Sequence, residues 1–173
     1  MNTDSKFHFI CDYQTKKVIR DCNLKPTEVK KEVQPWLYAY NVNTGFDDDD
    51  DDDEGDYTTT TKVGKWMLFV SPEYVNSVWQ KIKNAIEDGH LWNSKVSTIE
   101  PSNKSHAIMI YTKDYTDLPD VIKVLDYLET SGIKSANSVI KYKTDRQTYA
   151  GVYAGGKQRP WIYSSDTVRQ QKQ

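Results

Sequence analysis

The chain has 173 residues, 37% of them apolar, with a mean hydropathy of -0.78 and a formal net charge of -2. That length accommodates one domain with an extension, and no apolar run approaches the roughly 18 residues of a membrane-spanning helix. The charge is segregated: nine acids lie within 47–56, and elsewhere 23 Lys and Arg face 16 acids, a balance of +7. A mildly basic remainder suits phosphate-bearing ligands without specifying one.

Residues 1–33 read as an N-terminal extension, with strands at 6–10 and 18–19 and a short helix begun by Thr27 as its N-cap. The opening stretch carries Asp4 and has no small-residue cleavage site, so no secretory signal is read. The expected compartment is the cytoplasm, with the nucleus as the alternative. Cys11 and Cys22, with three scattered His, make no zinc spacing. They read as reduced thiols, and neither a metal nor an organic cofactor is expected.

Aromatic-rich 36–40 is a strand following Pro35. An acidic low-complexity loop follows at 43–61, because like charges repel and nothing apolar anchors it. Residues 65–70 form a core-type strand. Ser71 and Pro72 then open a helix. Its apolar face is Val75, Val78, Trp79, Ile82, Ala85 and Ile86, with Gln80, Lys81, Lys83, Asn84 and Glu87 toward water. Gly89 ends it.

Strands are expected at 95–99 and 106–112. Asp117 caps a second helix that buries Val121, Val124, Leu125 and Leu128 and ends at Gly132. Short strands follow at 139–143, 149–153 and 161–163, and a disordered tail at 166–173. This is an α+β pattern over one domain, 34–165, with a mostly antiparallel sheet and helices on one face. Nothing in the residues fixes an oligomeric state.

Several short motifs occur in order: Gly64-Lys65-Trp66, Lys95-Val96-Ser97, the stretch from Tyr111 to Asp117, Tyr142-Lys143-Thr144-Asp145, and Tyr149-Ala150-Gly151-Val152-Tyr153. Through them the chain resembles the family of the vertebrate basophilic leukaemia-expressed protein. It is also similar to prokaryotic proteins of the phosphothreonine lyase domain type. The resemblance implies the fold of the cap-binding translation initiation factor, a curved antiparallel sheet backed by helices. Fold alone does not fix function.

β-Elimination of phosphate needs a base, an acid for the leaving group and cations to hold the phosphate. Lys65 and Lys95 are the candidate catalytic residues if the chain is a lyase. The resemblance calls for a histidine on the early strand, where this sequence has Met67.

Non-catalytic binding uses the same side chains without proton transfer. The candidate ligand-binding set is Lys65, Lys95, Lys113, Lys143, Arg146 and Trp92, with Lys141, Trp36, Trp66 and Trp161 as further cations and stacking faces. Lysines hold phosphates and aromatic rings stack on bases. RNA or a nucleotide is the expected partner, with a phosphoprotein or another protein as the alternative.

The plainer readings are that Trp66 and Trp79 are core, that Lys65 and Lys95 guard strand edges, and that 114–117 is a turn with an N-cap. The Asp run reads first as a solvated insertion, and more sharply as an acidic strap over a basic face.

Overall fold

The computed structural model describes residues 8–12, 17–19, 24–40, 62–99, 105–149 and 161–171. The acidic run and Cys22 lie outside them.

Period-two alternation governs the central strands. Leu37, Ala39, Leu68, Val96, Ile108 and Ile110 are buried, while Trp36, Tyr38, Phe69, Ser97, Ala107 and Met109 between them are half-exposed or exposed. Residues at alternate positions of a strand point to opposite faces, so this pattern marks a sheet with one face in the core.

The strands are β1 (His8–Asp12), β2 (Lys17–Ile19), β3 (Trp36–Tyr40), β4 (Gly64–Val70), β5 (Asn93–Ser97), β6 (His106–Thr112), β7 (Lys141–Thr144) and β8 (Tyr163–Ser164). Their hydrogen-bonded order is β2-β1-β3-β5-β6-β4-β7-β8. The pairs β1·β2, β1·β3, β3·β5, β4·β7 and β7·β8 are antiparallel. The α+β class with a mostly antiparallel sheet is therefore the observed one.

Two compact units share these elements, and β4 and β6 run through both. One takes residues up to Asp47 and Phe69–Ile110; the other takes Asp48–Leu68 and Tyr111–Gln173. In the first, helix α1 (Pro72–Glu87) buries Val75, Trp79, Ile82, Ala85 and Ile86 and packs on β3 and β5. Each such fully buried aliphatic side chain contributes roughly 1.5–3 kcal/mol.

Gly89, at φ 84°, closes α1. Gly89 N–H bonds to Ile86 O at 3.1 Å and His90 N–H to Ala85 O at 2.8 Å. This paired closure requires a left-handed residue, which glycine adopts without a Cβ clash.

In the second unit, helix α2 (Leu118–Thr130) buries Val121, Val124, Leu125 and Leu128. The indole N–H of Trp66 donates to Val121 O at 3.1 Å, seating the helix on β4. Trp66 is fully buried and meets Tyr142 edge-on, ring centroids 5.3 Å apart. Among the described residues no helix is long and apolar enough to cross a membrane.

Several expectations need correction. Lys83 is buried, at 7% exposure, rather than facing water. It lines a recess with Pro26, Asn76 and Trp79, where its aliphatic stem is covered.

Thr27 is not an N-cap. A 3-10 turn spans Pro26–Glu28, and the Thr27 hydroxyl accepts from Asn76 Nδ2 at 2.7 Å.

Residue 149, expected in a strand, instead ends a short helix, α3 (Asp145–Tyr149), while 150–153 lie outside the described residues. Thr144 and Gln147 explain the helix. Gln147 N–H donates to Thr144 Oγ1 at 3.0 Å, and Thr144 N–H donates to Gln147 Oε1 at 3.0 Å. That reciprocal pair is a capping box.

The segment from 166 to 171, expected as a disordered tail, forms a turn and a 3-10 helix at Val168–Gln170. Val168 is buried, and Arg169 pairs with Asp126 at 2.6 Å and Glu129 at 3.2 Å.

Candidate functional site

Register brings two of the nominated lysines together. On the β4·β7 ladder Lys65 is directly opposite Lys143, and Trp66 is opposite Tyr142. Cross-strand partners project to the same face, with Cβ atoms roughly 4.5–5.5 Å apart. The lysines therefore share one face and the Trp66–Tyr142 pair the other, against α2.

Both amines are taken from water: Lys65 is 5% exposed and Lys143 7%. Lys65 Nζ stands 2.7 Å from Asp145 Oδ1. The Thr144–Gln147 box starts α3 at Asp145, and Asp145 N–H bonds to Val63 O at 2.9 Å. The carboxylate is thus fixed from both strands. The Tyr111 ring lies under Lys65 Nζ at 6.0 Å from its centroid.

Burial, and secondarily the charge of Lys65, push the Lys143 amine below the ordinary lysine range. Its charged form is disfavoured where it stands. An anion beside the two amines would reverse that preference.

A close approach fixes the register. Gly64 faces Tyr142, and a Cβ there would overlap the phenol ring. The Tyr142 hydroxyl is 2.6 Å from Thr112 Oγ1, tying β7 to the end of β6. Burial is the main reason that this phenol is pushed far above its usual range.

The other nominated residues take different places. Lys95 lies on β5 in the first unit, its Nζ 4.1 Å from the centroid of the Trp36 ring. Lys141 does the same to Trp161 at 4.1 Å and also donates to Ser164 Oγ at 2.9 Å. Lys113 is exposed in the turn after β6, Arg146 is exposed on α3, and Trp92 is half-buried before β5.

Neither Lys65 nor Lys95 guards an edge: β4 lies between β6 and β7, and β5 between β3 and β6. Trp66 and Trp79 are core, as the plainer reading had it. Asp114 closes a turn, accepting from Thr116 N–H at 2.9 Å and Thr116 Oγ1 at 2.6 Å, and Asp117 caps α2 through Asp120 N–H at 3.3 Å.

Sequence reasoning passed over Asp145 as the lysine's counter-ion and Tyr111 as its aromatic neighbour. The Thr-x-x-Gln signal at 144–147 was the available clue to the first. Nothing local points to the second, which depends on strand order.

The model of the family described as basophilic leukemia-expressed protein Bles03 matches residues 56–151. Among solved structures, schistosome eIF4E complexed with m7GpppA and 4E-BP is similar at TM-score 0.60 and 8% identity, over 91% of this chain and 94% of that one. C. elegans eIF4E-3 with the 4E-binding protein Mextli and cap analog is similar at 0.51 and 14%, over 66% and 65%. Ascaris suum eIF4E-3 with the m2,2,7G cap is similar at 0.50 and 14%, over 73% and 67%. The chain thus spans about two-thirds of the two nematode proteins. At these identities the likeness establishes the fold, that of the cap-binding translation initiation factor.

Proposed function

The chain belongs to the family of basophilic leukemia-expressed protein Bles03, and from that membership and its fold we propose that it binds a phosphate-bearing ligand, RNA or a nucleotide, without acting on it chemically. The observation that carries the reading is the Lys65–Lys143 pair, two buried amines directly opposed on one ladder beside the fixed Asp145 carboxylate. Desolvated ammonium groups hold an anion more strongly than exposed ones, because the local dielectric is low. Proteins of the same fold are solved with m7GpppA, itself a phosphate-bearing nucleotide, and that chemistry supports the choice of ligand class.

Met67 supports binding over elimination. It sits on β4 two residues after Lys65, where the lyase resemblance calls for the histidine that would protonate the leaving phosphate.

The test is calorimetric titration with GTP and with guanosine. Binding of GTP but not guanosine, lost in Lys143→Met, is the expected result. Equal binding of the two, or an unaltered GTP affinity in Lys143→Met, overturns the reading.

A further inference from the structure

The face of the sheet turned away from α1 carries Trp36, Tyr38, Lys95 and Ser97 on β3 and β5, Ala107 and Met109 on β6, and Phe69 on β4. Their buried neighbours Leu37, Val96 and Ile108 occupy the helix side. A recess of about 240 Å³ opens on this face, within the first unit. Trp36 and Phe69 are its aromatic walls, Ser97 and Ala107 its floor, and Lys31 and Thr98 also line it.

The small floor residues create the recess. Ser97 is the register partner of Trp36, and Ala107 N–H bonds to Ser97 Oγ at 2.8 Å. Two adjacent strands therefore present short side chains between two that present rings. Phe69 is 67% exposed. With the half-exposed Trp36 it leaves apolar ring surface open at the recess.

We propose that this recess binds the bases of a single-stranded nucleic acid, with Trp36 and Phe69 as separate stacking faces. Three strand spacings separate β3 from β4 in the sheet order, roughly 14 Å at 4.8 Å each. The two rings therefore rise from separate strands and offer two stacking faces, an arrangement that suits neighbouring bases of a strand.

Charge agrees with the choice. Lys31 lines the recess and Lys95 lies over the Trp36 ring, and the described lining residues include no carboxylate. Aromatic platforms interleaved with lysines on a sheet face are the arrangement that holds single strands, rings to bases and ammonium groups to phosphates. The proposal takes its ligand class from the phosphate-binding reading above, but its residues are different ones.

Fluorescence anisotropy of a labelled short oligoadenylate and of an abasic ribose-phosphate strand of equal length, at one fixed salt concentration, tests it. The wild type binds oligoadenylate more tightly than the abasic strand. Phe69→Ala and Trp36→Ala each weaken oligoadenylate binding by roughly 5- to 150-fold, the range for loss of one stacked base, and leave abasic binding unchanged. Phe69→Ala is the decisive variant, because an exposed side chain is not needed for folding. Tyr74→Ala, at another exposed ring on α1, is the control and changes neither.

Equal affinity for the two strands, or an unaffected Phe69→Ala, overturns the recess while leaving the phosphate reading standing. Failure of the wild type to bind either strand overturns the recess and the RNA arm of the phosphate reading together; GTP binding then decides the nucleotide arm.

Discussion

Lys65 and Lys143 oppose each other across the β4·β7 ladder, and they differ in their electrostatic surroundings. Lys65 is held by Asp145 at 2.7 Å. Lys143 has its amine pushed below the ordinary range by burial and then by Lys65. Removing the first should therefore destabilise, and removing the charge of the second should relieve a burial cost that depends on pH.

Lys65→Met strands the partly buried Asp145 carboxylate and should cost about 3 kcal/mol, the lower end of the range for breaking a buried pair. Lys65→Met with Asp145→Asn should recover part of that. Lys143→Met should show a pH signature. The folded pKa of Lys143 is depressed, so the penalty for its charge is fully present at pH below that value. As pH rises from there to about 10.4, the unfolded value, the folded chain sheds a proton that the unfolded chain keeps. Wild-type stability then rises with pH. The advantage of Lys143→Met over wild type should shrink across that window. Urea unfolding of both proteins at several pH values measures it, and an advantage that grows with pH contradicts the assignment.

Gly64 is required by Tyr142. A methyl group at Gly64 would overlap the phenol ring, and that ring cannot retreat without breaking its edge-on contact with Trp66 and its 2.6 Å bond to Thr112. Gly64→Ala should therefore cost about 1–3 kcal/mol as overpacking. Tyr142→Leu should also destabilise, but it makes room for the methyl group. The double variant should be more stable than the sum of the two losses predicts. Strict additivity in a denaturation cycle would show that the two residues do not press on each other.

Lys83 offers the same logic inside α1. Burial alone pushes its amine below the ordinary range. Lys83→Met keeps the stem and removes the charge. Its stability relative to wild type should be highest at neutral pH, where burial of the wild-type charge costs most. The margin over wild type should narrow as pH climbs toward about 10.4. A loss of stability at neutral pH would mean that the ammonium group is itself a structural contact.

These cases mark where the sequence was readable. Aromatic and apolar runs located β3, β4 and β6, and the period-3.6 pattern located α1 and α2, because each helix buries a continuous apolar side and is closed by a Pro, Asp or Gly signal. Lys83 was misread because the helical pattern assigns a charged head to water and cannot see its stem. Tyr149 was read as opening a strand, while the Thr144–Gln147 box that places it at the end of α3 lies upstream. The lysine pair was half legible. Lys65 and Lys143 could each be nominated, but their meeting depends on register between strands about 80 residues apart in sequence, and register is a tertiary fact. The Trp36–Phe69 recess depends likewise on four strands lying side by side.

Ser71 and Asp117 separate a cap by position from a cap by hydrogen bond. Both precede helices that open with proline near the first turn. Ser71 is extended, at φ -64° and ψ 154°, but its hydroxyl makes no capping bond to α1. Asp117 accepts from Asp120 N–H at 3.3 Å, and its carboxylate also faces the positive end of the α2 dipole. Ser71→Ala should therefore cost only a few tenths of a kcal/mol, below the usual loss for an N-cap serine. Asp117→Ala should cost about 1 kcal/mol, and Asp117→Asn should keep the hydrogen bond while giving up the attraction of the charge to the dipole. That attraction is screened by salt, so the stability difference between wild type and Asp117→Asn should fall as sodium chloride is added, whereas the Ser71→Ala effect should not change. Guanidinium would itself screen the charge, so thermal or urea unfolding at low and high salt is the measurement. Equal losses for Ser71→Ala and Asp117→Ala would show that both caps act through their side chains.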